Sequence, residues 1–354
     1  MKRIDELLRY LKEHKGSDLH LSSGLEPRVR VHGSLEPVEG WDVLQDEDVR
    51  GLIQKICKPE QWTEFEENYD LDFAYGLEGC ARFRCNYFVN ARGAGAVYRI
   101  IPENIVPFES LDLPPALEKF CHLRSGLVLV TGPTGSGKST TLASLLDKIN
   151  RSYAKHVVTL EDPVEFVHQN KTSVFSHREV GTHTQSFANG LRAAIREDAD
   201  VVLVGEMRDP ETIALAITAA EMGLLVFGTL HTNGAAKTID RIVDSFPAEE
   251  QAQARLSLSE SVAGIVSQLL VPTADGKGRR AAIEILVRTP GLPNLIREGN
   301  TSMLNSIIQS GKKEGMQRMD DALMALVEAG TVRAKDAYMK ATDKSRFEAL
   351  LPKE

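Results

Sequence analysis

Cysteine is scarce in this 354-residue chain, and the four present, Cys57, Cys80, Cys85 and Cys121, form no C-x-x-C pair. That spacing argues against a zinc site and against a disulfide framework, and it predicts free, mostly buried thiols. Long apolar runs are missing too. The longest candidates, such as Leu127 to Val130 and Leu224 to Phe227, are strand-length, far from the ~18 residues a membrane helix needs. The opening segment, MKRIDELLRYLKEH, has early positive charge but no apolar stretch of the kind a secretory signal requires. Ile4, Leu7, Leu8 and Leu11 instead repeat as one face of an amphipathic helix. Net positive charge is also absent. With 42 Lys and Arg against 50 Asp and Glu, the formal charge is −8. Nor is there a basic stripe interleaved with aromatics, so nucleic acid is not an expected partner. These absences predict a cytoplasmic protein with no direct membrane insertion, peripheral to any membrane through partners.

What is present is ordinary globular material, 42% apolar and 26% charged, and the length suggests about two domains. Residues 1–101 read as a mixed α+β module. Leu19/Leu21 and Val29/Val31 alternate with polar residues. Helices are expected over Asp46 to Cys57 and Glu60 to Glu67, then strands over Leu71 to Tyr75, Ala81 to Asn90 and Gly95 to Ile101. Residues 102–115 hold four prolines and read as a linker. From Gly126 short apolar runs alternate with helical patterns: GLVLVT, then Thr140 to Asn150; HVVTLED, then a loop; Phe187 to Arg196, then DVVLVGE; Glu211 to Met222, then LLVFGTL. This alternation predicts an α/β, largely parallel sheet over residues 116–290, with helices on both faces. After a strand at Ile283 to Val287, residues 291–354 read as helical: Leu292 to Glu298, Met303 to Gln309, Met319 to Ala329 and Ala334 to Ala341.

Four motifs carry chemistry. GPTGSGKS, with Gly132, Pro133, Thr134, Gly135, Ser136, Gly137, Lys138 and Ser139, followed by Thr140, is a P-loop. Its glycines let backbone N–H groups turn toward phosphate oxygens, and the helix that follows presents its positive end to them. Lys138 is expected at the β- and γ-phosphates and Ser139 on Mg²⁺. In DADVVLVGEMRD an apolar strand ends in Glu206, as a Walker B strand delivers a carboxylate to Mg²⁺. VVTLEDPVEFVH clusters Glu161, Asp162 and Glu165 at a strand end. There they could hold a metal-bound water or activate an attacking one, or form a solvated acidic turn. GTLHTN places His231 at another strand end, where it could sense a γ-phosphate or be structural.

Together these motifs resemble those of the hexameric secretion ATPases of the type II and type IV systems, most closely the PilT-type pilus-retraction ATPases. SDLHLSSGLEPRVRVHG, REVGTHTQSFANGLRAAIRED, GTLHTNGAAKTIDRIVDSFPAEEQAQ and GMQRMDDALMALV extend the likeness from Ser17 to about Val327. The resemblance implies a PAS-like N-terminal domain, a RecA-like ATPase core with a helical tail, ATP and Mg²⁺ as cofactors, and a homohexamer engaging an inner-membrane pilus platform protein. It implies Glu165 as the catalytic glutamate with Glu161 in support, Glu206 as the Walker B acid, and His231 in the histidine motif. It also implies arginines completing each site between subunits, with Arg82, Arg84, Arg99, Arg192, Arg196, Arg208 and Arg241 as candidates. Related extension ATPases carry a tetracysteine insert, and Leu270 to Glu284 has none, which favours the retraction type. Where the family usually reads AIRNLIRE this chain reads GLPNLIRE, with Pro293 in place of an arginine. A proline in a first helical turn is tolerated. Two other readings stand beside this one: a paralogous pilus or secretion ATPase, or a nucleotide-binding regulatory subunit, each with altered retraction output.

Overall fold

The computed structural model describes residues 4–351 apart from His32 and Glu103. The chain divides into two compact units, Met1–Asn104 with Glu165–Val167, and Ile105–Val164 with His168–Glu354.

The first unit is built on an antiparallel sheet in the order β3-β2-β1-β6-β5-β4, formed by β1 (Asp18–Ser22), β2 (Arg28–Val31), β3 (Ser34–Pro37), β4 (Asp70–Leu77), β5 (Ala81–Asn90) and β6 (Gly93–Ile101). Alternation along β5 decides its two faces. Ala81, Phe83, Cys85 and Tyr87 are buried, so Arg82, Arg84 and Asn86 point the other way. The buried face packs with the helices Ile4–Glu13, Asp46–Ile53 and Pro59–Asn68 in one apolar cluster. Ile4, Leu7, Leu8 and Leu11 form the buried stripe their spacing predicts. Two buried tyrosines are satisfied in series: Tyr98 Oη donates to Tyr87 Oη at 3.0 Å, and Tyr87 Oη to the Ile53 carbonyl at 3.1 Å. All four cysteines are free, and only Cys57 is not fully buried.

The second unit carries a mixed sheet in the order β13-β12-β7-β11-β10-β8-β9. Its strands are β7 (Gly126–Thr131), β8 (His156–Glu161), β9 (Val174–Glu179), β10 (Val201–Val204), β11 (Leu225–Leu230), β12 (Val262–Pro272) and β13 (Arg279–Val287). Every pairing is parallel except β12 with β13. The central strands are covered on both faces, which is why they read as unbroken apolar runs. Two strands were not foreseen. The expected loop after HVVTLED contains β9, an edge strand too polar to announce itself. β12 is an apolar run whose pattern suits a helix as well as a strand.

The parallel arrangement has one consequence for function. β7, β8, β10 and β11 end on the same edge of the sheet, where ligands bind in open α/β folds. Beyond β13 the helices Leu292–Arg297, Leu304–Ser310, Met319–Glu328 and Ala334–Lys340 follow. Pro293 stands in the first turn of Leu292–Arg297, and Leu292 and Ile296 are buried, so that helix survives the substitution. Among the described residues no helix is long and apolar enough to cross a membrane.

Candidate active site

β7 reaches the sheet edge at Thr131, and the chain then turns back into the helix Lys138–Ser152. Gly132, Gly135 and Gly137 make the turn with φ of +144°, +76° and +86°, a region L side chains avoid. A Cβ at position 132 would lie 2.2 Å from the Gln268 carbonyl oxygen, and one at 137 would lie 2.8 Å from Gln268 Nε2. Gln268, on β12, is the strut beneath the loop. Its Nε2 donates to the Ser136 carbonyl at 2.7 Å, and its Oε1 accepts from Thr141 Oγ1 at 2.8 Å.

Lys138 is buried, and its ammonium donates to the carbonyls of Gly132 and Pro133 at 2.8 and 3.2 Å. The hydroxyls of Thr131 and Ser136 are buried with no hydrogen-bond partner among the described residues. Leaving such a group unmatched costs about 1–3 kcal/mol. Orphaned hydroxyls, a buried ammonium and glycines with no room for a side chain fit a polyphosphate lying on this loop at a helix N-terminus.

Two strands away β10 delivers Glu206. Gly205 N–H donates to the Leu160 carbonyl at 2.7 Å, which fixes the chain just before it. Arg208 grips the carboxylate at two points, Nε to Oε1 at 2.6 Å and Nη2 to Oε2 at 2.7 Å. His231, just past β11, places Nε2 at 3.1 Å from Glu206 Oε1. The Arg208 hydrogen bond is the main reason the Glu206 carboxyl sits below its ordinary pKa; His231 and Lys138 add to it against the opposing effect of burial. Glu206, His231 and the P-loop lysine thus share one electrostatic neighbourhood. Among the described residues no three His, Cys, Asp or Glu side chains are grouped to hold a metal. Ser139 and Glu206 are the groups that would hold Mg²⁺, together with phosphate oxygens, as this ion is commonly held at nucleotide sites.

The acidic segment is fastened on both sides of Glu165. Glu161 ends β8 and is buried. Val164 N–H donates to Glu179 Oε2 at 3.1 Å, and His168 N–H donates to His177 Nε2 at 3.0 Å. Between these holds lies the tip Glu165–Val167, which is grouped with the first unit and in which Glu165 is exposed.

His168 stacks on Phe175 with ring centroids 4.4 Å apart. Burial, helped by His177, pulls its pKa down to about 4. A histidine that is neutral when folded binds fewer protons than in the unfolded chain, where its pKa is about 6.5. Its contribution to stability is therefore complete above that value and lost as pH falls toward 4. His168→Phe keeps the stack and removes the titration. Between about pH 7 and pH 4 the wild type should lose on the order of 3 kcal/mol more stability than this variant. Urea unfolding at both pH values measures this, and parallel pH slopes would contradict it.

Residues 70–345 match the family model described as type II/IV secretion system protein. The chain belongs to that family. It is 48% identical over 344 residues to the type IV pilus retractation ATPase PilT of Pseudomonas aeruginosa, covering 97% of this chain and 99% of that protein. It is 49% identical over 315 residues to the twitching motility protein of Neisseria gonorrhoeae, covering 89% and 84%. A crystal structure of the pilus retraction motor PilT with bound ADP superposes with a TM-score of 0.91 at 41% identity, covering 99% of this chain and 100% of that one.

In this secretion-family chain the candidate arginines fall into two sets. Arg84 and Arg99 face each other across β5 and β6, and Arg82 lies on the same face. Arg99 bonds Asp18 at 2.7 Å, and Arg84 lies 3.8 Å from Asp72. His20, Arg28 and Arg30, which sequence patterning did not single out, share that face by register. In the second unit Arg192 pairs with Glu211, Arg208 holds Glu206 of its own chain, and Arg196 and Arg241 are exposed. Gln268, Glu179 and His177 were also missed. Only Gln268 left a trace in the sequence, as a polar residue inside the apolar run AGIVSQLLV.

Proposed function

We propose that this chain is an ATP hydrolase whose homohexamer drives retraction of type IV pili, the step that powers twitching motility. The observation that carries the reading is the contact of Glu206 with His231 beside the P-loop lysine, in a chain similar along nearly its whole length to a retraction ATPase. The first hundred residues act as a PAS-like domain (1–101), joined by a linker (102–115) to a RecA-like core (116–290) and a helical C-terminal region (291–354). The assembly works in the cytoplasm and meets the inner membrane through a pilus platform protein.

Each residue has one task in this reading. Gly132 to Gly137 wrap the phosphates with backbone amides, Lys138 holds the β- and γ-phosphates, and Ser139 and Thr140 open the helix beneath them. Ser139 and Glu206 would hold Mg²⁺, which would supply neutralisation of the charge that develops on the transferred phosphoryl group. Glu165 takes a proton from the attacking water, with Glu161 in support. His231 reports the γ-phosphate to Glu206. Arginines of a neighbouring subunit close the site.

The purified chain should hydrolyse ATP with Mg²⁺, stop when EDTA removes the metal, and run as a hexamer on sizing. Hydrolysis that ignores EDTA, or that depends on added DNA, would overturn the reading.

A further inference from the structure

β12 and β13 form an antiparallel pair at one edge of the core sheet, with β12 beside β7. Three side chains on this pair reach three separate segments. Gln268 holds the P-loop, as described above. Ser267 is in register with Thr131, the residue before that loop, and its hydroxyl accepts from Gly234 N–H at 2.8 Å. Across the pair, Ser267 faces Glu284. Glu284 is buried, 8% exposed, and its carboxylate splits between two helix starts. Oε1 accepts from Ala235 N–H at 2.8 Å, and Oε2 accepts from Met319 N–H at 3.4 Å. Ala235 opens the helix Ala235–Asp244, and Met319 opens Met319–Glu328. The second helix is also fastened to β13, because Ile285 and Gln317 exchange backbone hydrogen bonds at 2.9 and 3.3 Å.

The first of these helix starts lies four residues after His231. β11 ends at Leu230, which pairs with Thr131. The segment 231–233 is therefore a short bridge between a strand end and two amides held by Ser267 and Glu284. Gly234 enters the helix at φ +95°, a conformation that favours glycine.

We propose that Glu284 is a positioning residue for His231, and that it couples the His231 loop to the C-terminal helix Met319–Glu328 through one shared buried carboxylate. This rests on the reading of His231 as part of the hydrolytic site. The coupling needs two acceptor oxygens, one for each helix start. A carboxamide of the same size must turn its NH₂ group against one of the two backbone N–H groups.

Glu284→Gln tests this in the full chain by ATP turnover, by ADP calorimetry and by amide hydrogen exchange. The expected result is a kcat lower by on the order of tenfold, with ADP affinity within about twofold of wild type. Exchange should quicken at the helix start that the new NH₂ group faces, Ala235 or Met319, while β7 and β10 keep their protection. An unchanged kcat overturns the proposal, as does unchanged protection at both helix starts or protection lost throughout the core. Should that variant fail to fold, Ser267→Ala removes only the acceptor for Gly234. It must lower kcat in the same direction with ADP affinity kept, and normal turnover there overturns the proposal equally. A wild type that hydrolyses no ATP counts against the proposed function instead, because the loss of protection at a helix start reads the link without turnover.

Discussion

Glu165→Gln should lower ATP turnover by on the order of a thousandfold and leave nucleotide affinity within about twofold. The reason is chemical. Glutamine has the shape of glutamate but cannot take a proton from water. The groups fitted to phosphate, Lys138, the loop amides and Ser139, lie on a separate segment and are untouched. Glu165 lies on a short tip whose two ends are held by Glu179 and His177. The substitution removes a base without loosening the backbone that carries it. Single-turnover hydrolysis together with ADP calorimetry separates the two effects. Near-normal hydrolysis would remove Glu165 from the catalytic role, and a matching loss of ADP affinity would mean the loop had been disturbed.

Gly132→Ala should abolish measurable nucleotide binding and destabilise the core by on the order of 2–4 kcal/mol. The added methyl would meet a backbone oxygen of β12 at 2.2 Å and Ser136 Oγ at 2.7 Å, on a residue at φ +144°. A backbone oxygen inside a sheet has nowhere to go, so the loop must move. Gly135→Ala is the matched control. Its φ is +76°, but nothing lies within 4 Å of the added carbon, so it should cost only about 1–2 kcal/mol of strain. Thermal melts and ADP titration of both variants check this pair. Equal effects at the two positions would mean that steric contact with β12 is not what demands glycine at 132.

Much of this site could be read in the sequence because its parts are local. A P-loop is one continuous turn, with its strand before it and its helix after it. Glu206 and His231 each follow an apolar run, and four parallel strands must end on one edge. What escaped notice was contributed from far along the chain. Gln268 props a loop more than a hundred residues away, and no pattern near position 268 says so. Glu179 sits on an edge strand whose composition resembles a loop, so its hold on Val164 had no local sign. Glu284 reads as one charge inside a strand. Its meaning appears only when two helix starts converge on it. Arg208, also a candidate for completing a neighbouring subunit's site, holds the carboxylate two residues before it in its own chain.

The most direct test is pilus retraction in a piliated strain that lacks its own retraction ATPase, supplied either with this chain or with its Glu165→Gln variant. The wild-type chain should restore retraction and the variant should not, although both are made at equal levels. No retraction with the wild-type chain, or equal retraction with both, would contradict the proposal that ATP hydrolysis at this sheet edge drives the pilus.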